Sequence, residues 1–137
     1  MPDNITKLRH AYQRWSETLG ASVSDWMALM ADDVSLRTAG DGAAGLEFTK
    51  GRSGKAEIES YFEGLATDWE MVHFTPKEFI ESGDRIVVLS NVAFRSKKTG
   101  KVAESPKADV YRFRDGQIVE VAEYFDTYKA VLAATPG

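Results

Sequence analysis

Residues 109–126 read DVYRFRDGQIVEVAEYFD, and this segment carries the clearest tertiary signal in the chain. Apolar and polar side chains alternate on both sides of Asp115-Gly116, a dipeptide that is typical of tight hairpin turns. A turn this short joins neighbouring strands only when the strands are antiparallel. We therefore predict an antiparallel pair of strands at 102–114 and 117–126.

Two more strands precede this pair along the chain. Residues 69–82 and 85–97 show the same period of two, and the turn-forming residues Ser82-Gly83-Asp84 separate them. A second turn, Lys98-Thr99-Gly100, leads from 85–97 into the next strand. The pattern predicts a four-stranded antiparallel meander, in which Pro76 lies at an edge or a bulge because proline cannot donate to a strand ladder.

The first half of the chain has a helical period instead. Apolar residues recur at helical spacing in three segments, while Val34–Thr38 alternates as a short strand and 127–135 adds a final helical turn. Helices followed by an antiparallel meander indicate the α+β class, with the helices packed on one face of the sheet. The predicted helical positions are Ile5, Leu8, Tyr12, Trp15 and Leu19 in the first helix, Trp26, Leu29 and Met30 in the second, and Ile58, Leu65 and either Tyr61 or Phe62 in the third.

Serine and glycine residues mark the predicted helix ends. Gly20 ends the first helix, Ser22 or Ser24 caps the second, and Ser53 caps the third, because a serine oxygen can accept from the first free amides of a helix. Residues 39–52 hold four of the eleven glycines and show no periodicity. We therefore predict a flexible flap over this segment.

Composition limits the class of protein. The chain has 137 residues, a net charge of −4 and no cysteine, which favours a single domain over 1–137 without disulfides or cysteine-bound metals. The acidic balance argues against nucleic-acid and anionic-membrane partners. No apolar run is long enough to span a membrane, and the start Met1-Pro2-Asp3-Asn4 lacks the pattern of a signal peptide. We predict a soluble, cytoplasmic protein.

Strand alternation groups three charged residues with apolar neighbours. Lys107, Asp109 and Glu123 fall on the face of the last two strands that also carries Tyr111 and Phe125. Burying an unpaired charge among such residues is costly. Two interpretations stay open. The residues form a salt-bridged cluster near the open end of the sheet, or a carboxyl group lies in an apolar pocket, where burial raises its pKa and suits it to proton transfer.

Two glycine-rich segments match nucleotide-binding patterns by their letters only. Gly40–Gly45 fits G-x-G-x-x-G, but the surrounding chain shows no parallel strand–helix–strand unit. Residues 51–55 lack the first glycine of a phosphate loop, and Ala56 stands where that loop has its magnesium-binding hydroxyl. His10 and His73 lie on different elements without ligand spacing. We therefore predict neither a cofactor nor a metal.

The order of elements resembles the nuclear transport factor 2-like superfamily, and within it the SnoaL-like, ketosteroid isomerase-related branch. The resemblance covers nearly the whole chain and rests on 30–34, on 51–62, and on 109–118 with 123–126. It implies a cone-shaped α+β barrel, in which a curved, mostly antiparallel sheet wraps around the N-terminal helices. It also implies an apolar cavity at the open end of the cone.

The resemblance further implies roles for single positions. Steroid isomerases have a protonated aspartate at the position of Asp109, an oxyanion-hole tyrosine at that of Trp15 and a catalytic base at that of Thr38. Epoxide hydrolases of the limonene type have charged catalytic residues near Arg85 and Glu123. The expected lining of the cavity is Trp15, Trp26, Thr38, Phe62, Val92, Tyr111 and Phe125.

Three functions are compatible with these residues. The first is a cofactor-free isomerase, cyclase or dehydratase that acts on a small apolar carbonyl compound, with Asp109 as acid or oxyanion donor, Glu123 as base and Lys107 tuning both. The second is a binding module for an apolar ligand without chemistry. The third is a structural or partner-binding domain whose interior is filled by its own bulky side chains.

The resemblance also implies a homodimer that forms through the outer face of the sheet. Val110, Ala122 and Tyr124 alternate onto that face and are apolar enough for an interface. Arg112 and Glu120 would form its polar rim. A second copy of this chain is therefore the expected protein partner.

Overall fold

The computed structural model describes residues 3–137, which form four α-helices and six strands. Met1 and Pro2, part of the start from which we predict no signal peptide, lie outside the described residues. The helices are α1 (Asn4–Glu17), α2 (Val23–Leu29), α3 (Lys55–Asp68) and α4 (Thr127–Ala134). The strands are β1 (Met30–Thr38), β2 (Arg52–Ser53), β3 (Trp69–Ser82), β4 (Arg85–Ser96), β5 (Val102–Arg114) and β6 (Gln117–Phe125).

The six strands form one sheet in the order β2-β1-β6-β5-β4-β3. Strands β3 to β6 form the predicted antiparallel meander, while β1 pairs with β6 in parallel. The sheet is curved and open, with β2 and β3 at its two edges. The predicted α+β class with helices on a mostly antiparallel sheet is confirmed, although the sheet does not close into a barrel.

The register of the strands brings the charged residues together. Asp109 lies opposite Glu123 across β5 and β6, and Thr38 of β1 pairs with Glu123 from the other side. These positions alternate with Tyr111 and Val121, which are buried in the main core. The predicted inner face of the last two strands is therefore confirmed, and the three charged residues lie under the helices.

The core has two parts. The larger part packs the inner faces of α1, α2 and α3 on the sheet, and the smaller one packs α4 beside the flap and the start of β3.

Pro76 lies on the edge strand β3, next to an irregularity in its pairing with β4, as predicted. Among the described helices, none is long and apolar enough to cross a membrane. The fully buried large side chains of the helices include Leu8, Tyr12 and Ile58.

Several predicted element ends are wrong. Leu19 follows α1 instead of lying in it, because its φ of 50° is left-handed and cannot continue a helix. Met30 adopts an extended conformation and starts β1, where it pairs with Ile118, so β1 begins earlier than predicted. Ser22 does precede α2, but its side chain makes no capping hydrogen bond.

The predicted cap of the third helix is also wrong. Ser53 belongs to the short strand β2, where it pairs with Ser35 of β1. Gly54 precedes α3 instead, with a φ of 82° that glycine adopts without strain. The backbone amide of Ser53 donates to the Glu57 carboxylate at 3.0 Å, so the acidic side chain in the first turn supplies the acceptor.

The predicted flap has a defined fold. Residues 43–45 and 47–49 form two short 3₁₀ turns, and no α-helix follows the glycine pattern. The turns pack around Thr49, which is fully buried. Its hydroxyl donates to the Leu46 carbonyl and accepts from the Gly42 amide. The segment therefore holds Phe48 in place against Trp69 and Phe125.

Candidate functional site

An apolar cavity of about 100 Å³ lies between the helices and the inner face of the sheet. Its walls are mainly aromatic and aliphatic side chains. Its charged residues are Lys107, Asp109, Glu123 and Asp126. An apolar cavity with a few converging polar groups is the usual form of a small-molecule site.

Six of the seven residues predicted to line the cavity lie at it. Thr38 is the exception, since it does not line the cavity but donates to Oε1 of Glu123 at 3.2 Å. The sequence analysis missed the contribution of the flap, β3 and α4, which bring in Phe48, Trp69, Phe74 and Ala130. The six predicted residues that line the cavity are Trp15, Trp26, Phe62, Val92, Tyr111 and Phe125.

Lys107 bridges the two carboxyl groups. Its Nζ lies 3.0 Å from Oδ1 of Asp109 and 2.9 Å from Oε2 of Glu123. The three side chains are only 13%, 3% and 11% exposed, respectively, so solvent screens these charges weakly. The sequence left two interpretations open, a salt-bridged cluster and a carboxyl group in an apolar pocket. In the structure both apply to the same residues, because the salt-bridged cluster forms the polar end of the apolar cavity.

The carboxyl group of Asp109 has unequal oxygens. Oδ2 accepts a 2.5 Å hydrogen bond from the Tyr12 hydroxyl, whereas buried Oδ1 has the Lys107 charge beside it but no hydrogen bond of good geometry. Burial raises the pKa of Asp109, Lys107 opposes that rise, and nearby Glu123 adds to it. The net effect is a raised pKa, which favours a protonated carboxyl group.

Lys107 is held as an ammonium ion. Burial alone would lower its pKa, but the charges of Asp109 and Glu123 outweigh burial and raise it. The Nζ also lies 5.2 Å from the centre of the Phe74 ring, within range of a cation–π contact. A permanently protonated amine can stabilise negative charge on a ligand oxygen but cannot act as a nucleophile.

Glu123 is surrounded by donors. Lys107 and Tyr61 donate to it at 2.9 Å and 3.0 Å, and Thr38 donates at 3.2 Å. Its oxygens are therefore acceptors throughout, which is the arrangement of a bound carboxylate. The sequence analysis predicts Tyr61 only as a candidate core residue and misses its hydrogen bond to Glu123. Its hydroxyl could have indicated this contact, because a buried tyrosine needs a polar partner.

Tyr12 takes the place that the resemblance assigned to Trp15. Its hydroxyl contacts both Asp109 at 2.5 Å and the Tyr111 hydroxyl at 2.7 Å. Trp15 lies one turn further along α1 and packs its ring against Trp26 and Phe62. The assignment of Trp15 as the tyrosine position is therefore wrong by one helical turn.

One further predicted position lies away from the cavity. Arg85 begins β4 opposite Ser82 at the exposed turn and does not line the cavity. Within residues 3–137, no group of three or more His, Asp or Glu side chains could hold a metal ion. Lys107, Asp109 and Glu123, which the fold brings together, suit acid–base chemistry on a bound molecule.

Sequence comparison identifies a family whose sequence pattern this chain matches. The sequence profile of the SnoaL-like domain matches residues 8–121. No curated protein matches the chain. A solved NTF2-like protein of unknown function from Burkholderia pseudomallei is 28% identical, covers 98% of this chain and 99% of its own, and superposes with a TM-score of 0.85.

Two more distant structures share the fold. A hypothetical protein with a ketosteroid isomerase-like fold from Catenulispora acidiphila, solved with trimethylamine, is 16% identical over 100% of this chain and 95% of its own, with a TM-score of 0.74. A candidate SnoaL-like polyketide cyclase from Mesorhizobium loti is 17% identical over 88% of this chain and 97% of its own, with a TM-score of 0.71. At these identities the likeness concerns the fold alone.

Proposed function

The chain belongs to the SnoaL-like domain family, and from this membership and the cavity we propose an enzyme of the isomerase or cyclase type. Its substrate is a small apolar carbonyl compound, and its chemistry is proton transfer without a cofactor. The observation that carries the proposal is Lys107, which is fixed between two buried carboxyl groups at the polar end of the apolar cavity.

The hydrogen bonds support different roles for the two carboxyl groups. Asp109 has a raised pKa and serves as the acid, with its proton reaching the carbonyl oxygen through the hydroxyls of Tyr12 and Tyr111. Glu123, which only accepts, serves as the base that removes a proton from the neighbouring carbon. Lys107 stabilises the negative charge that develops on oxygen, since a fixed cation in a water-poor site interacts strongly with such charge.

The size of the cavity limits the substrate. An apolar cavity of about 150 Å³ holds one benzene molecule, and this cavity is about 100 Å³. The cavity as it stands is therefore smaller than one that holds a six-membered ring, and a substrate of one small ring enters when side chains at the flap move. Phe48 and Phe125, which stack on each other 5.7 Å apart, are the residues to move for a larger molecule.

Deuterium exchange tests the proposal. Cyclohexanone in deuterated buffer loses its protons next to the carbonyl when an acid and a base act on it together. We expect wild-type protein to accelerate this exchange with saturation at high ketone concentration, as followed by proton NMR. Exchange at the rate of buffer alone, with the ketone still bound, would instead establish the binding module.

The cavity volume supports the third candidate, a domain whose interior is filled by its own bulky side chains. Ligand pockets usually measure about 300 Å³ or more, so a cavity of about 100 Å³ is small for a substrate site. The filled-interior alternative predicts that neither exchange nor binding occurs, which NMR titration with cyclohexanone also measures.

We also propose a homodimer through the outer face of the sheet. Tyr124 is 51% exposed there, and Arg112 of β5 donates to Glu120 of β6 at 2.7 Å, four positions along the strands from Tyr124. Ala122 is only 7% exposed in the single chain and has little surface left to bury in an interface. Of the three predicted interface residues, Tyr124 and Val110 therefore offer most of the exposed apolar surface.

Tyr124→Glu is expected to convert the dimer into monomer, because it places a charge in the apolar centre of the interface. Light scattering coupled to size-exclusion chromatography gives the mass, which should fall from about twice 15.2 kDa to that value. Tyr128→Glu is the control, since Tyr128 is 69% exposed on α4. A wild-type mass of one chain would refute the dimer.

A further inference from the structure

Three groups form a continuous hydrogen-bonded chain along one wall of the cavity. The Tyr12 hydroxyl lies 2.5 Å from Oδ2 of Asp109 and 2.7 Å from the hydroxyl of Tyr111. All three residues are buried, and all three line the cavity. Burial, followed by the charge of Asp109, holds the pKa of both tyrosines well above the usual value, so each hydroxyl keeps its proton.

The number of protons in this chain decides what it offers to a ligand. With Asp109 ionised, two hydroxyl protons serve two links: Tyr12 donates to Asp109, and Tyr111 donates to Tyr12. No proton is then left for a ligand. With Asp109 protonated, a third proton is present, so Asp109 donates to Tyr12, Tyr12 donates to Tyr111, and the Tyr111 hydroxyl becomes free to donate into the cavity.

The position of the added proton follows from the surrounding charges. Oδ1 lies 3.0 Å from the Lys107 ammonium, which disfavours a proton between them. Oδ2 faces the Tyr12 hydroxyl of α1, which can accept. The other groups around Asp109 are Glu123 of β6, whose charge favours protonation, and the Tyr61 hydroxyl of α3, which is bonded to Glu123.

We propose that the hydrogen-bonded chain of Tyr12, Asp109 and Tyr111 makes the cavity select ligands that carry an acceptor oxygen. It does so only while Asp109 is protonated. The inference rests on the proposed function, since a carbonyl oxygen is such an acceptor, and it adds the condition under which that oxygen is recognised. Tyr111 is thereby a specificity-determining residue. Lys107 keeps its ion pair with Glu123 in both states, so its own donor adds a preference that does not change with pH.

Two small molecules of nearly equal size test the coupling. Cyclohexanone has an acceptor oxygen, whereas methylenecyclohexane has a CH₂ group in its place. NMR titration gives the Kd of each between about pH 4 and pH 9, a range that spans the ordinary and raised pKa values of a carboxyl group. One additional hydrogen bond corresponds to about threefold to tenfold in affinity. We expect the preference for cyclohexanone to fall by that factor as pH rises through the pKa of Asp109.

Two variants separate the chain from a general pH effect. Tyr12→Phe breaks both links and leaves the Tyr111 proton free at every pH, so the preference at high pH should rise and lose its pH dependence. Asp109→Asn always carries amide protons, so its preference should also be constant with pH, and it covers the case in which Tyr12→Phe does not fold. Tyr128→Phe, an exposed tyrosine, is the matched control and should behave as wild type.

The outcomes distinguish the two proposals. A constant wild-type preference across the pH range would overturn the coupling and leave the proposed function standing. A wild-type pH dependence that persists unchanged in Tyr12→Phe and Asp109→Asn would also overturn it. If neither molecule binds, the cavity is no ligand site, and both proposals fail together.

Discussion

Replacing Lys107 with methionine is expected to lower the free energy of unfolding by about 3–5 kcal/mol at neutral pH, because one partner of a buried ion pair is removed and the other charges stay behind. Here two carboxyl groups, Asp109 and Glu123, would face each other across β5 and β6 without a cation between them. Methionine keeps the length of the side chain, so little packing is lost. Urea unfolding followed by tryptophan fluorescence measures the change.

The loss in Lys107→Met should depend on pH. Lys107 is the main influence that lowers the pKa of Asp109, so its removal raises that pKa further above the unfolded value. A carboxyl group with a raised folded-state pKa binds more protons in the folded state, so stability falls as pH rises from the unfolded pKa through the folded one. The deficit should therefore shrink on acidification toward about pH 4.

Two further variants show whether charge is the cause. Lys98→Met changes an exposed lysine in the turn between β4 and β5 and should alter stability by less than about 0.5 kcal/mol. The triple variant Lys107→Met, Asp109→Asn, Glu123→Gln removes every charge of the cluster and should recover most of the lost stability. If the triple variant stays as unstable as Lys107→Met, the loss comes from packing and not from the uncompensated carboxylates.

The architecture could be predicted because local sequence patterns, the alternation of apolar and polar residues and the short turns, indicate it. Alternation on either side of Asp115-Gly116 indicates both the pairing and the inner face of β5 and β6. That face carries Lys107, Asp109 and Glu123, so the sequence alone predicts that the three charged residues lie on the inner face of the sheet. Short turns then constrain the remaining strands of the meander to antiparallel neighbours.

The errors occur where long-range contacts decide the conformation. Met30 has an apolar side chain suited to a helix, yet pairing with Ile118 of β6 draws it into a strand. Tyr12 and Trp15 occupy the same face of α1, and only the position of Asp109 on the sheet shows which one reaches the carboxyl group. The flap lacks any repeating pattern, so its contact through Phe48 could not be foreseen.

The cluster also shows why function is harder to predict than fold. Sequence pattern placed two carboxyl groups and a lysine on one face, but both a structural ion pair and a catalytic site contain such groups. The decisive differences are which oxygen each donor reaches and how deeply each group is buried. Glu123 has three donors, whereas Oδ1 of Asp109 has none of good geometry, and no local pattern encodes that contrast.

Replacing Asp109 with asparagine is expected to slow the deuterium exchange of cyclohexanone by about a hundredfold to ten-thousandfold, the usual contribution of general acid–base catalysis. The amide has nearly the shape of the carboxyl group and can still bond to Tyr12, but it cannot give up a proton to the carbonyl oxygen. Proton NMR in deuterated buffer measures the rate, and the unfolding midpoint in urea checks that the fold is intact.

The pH profile and a matched control identify Asp109 as the acid. Because the protonated form is required, wild-type exchange catalysed by the protein should fall as pH rises through the raised pKa of Asp109, and Asp109→Asn should show no such fall. Asp32→Asn makes the same chemical change at a fully exposed side chain and should keep the wild-type rate and profile. A folded Asp109→Asn variant that retains exchange within about twofold of wild type would remove Asp109 from the mechanism, since even the smallest expected acid–base contribution is about a hundredfold.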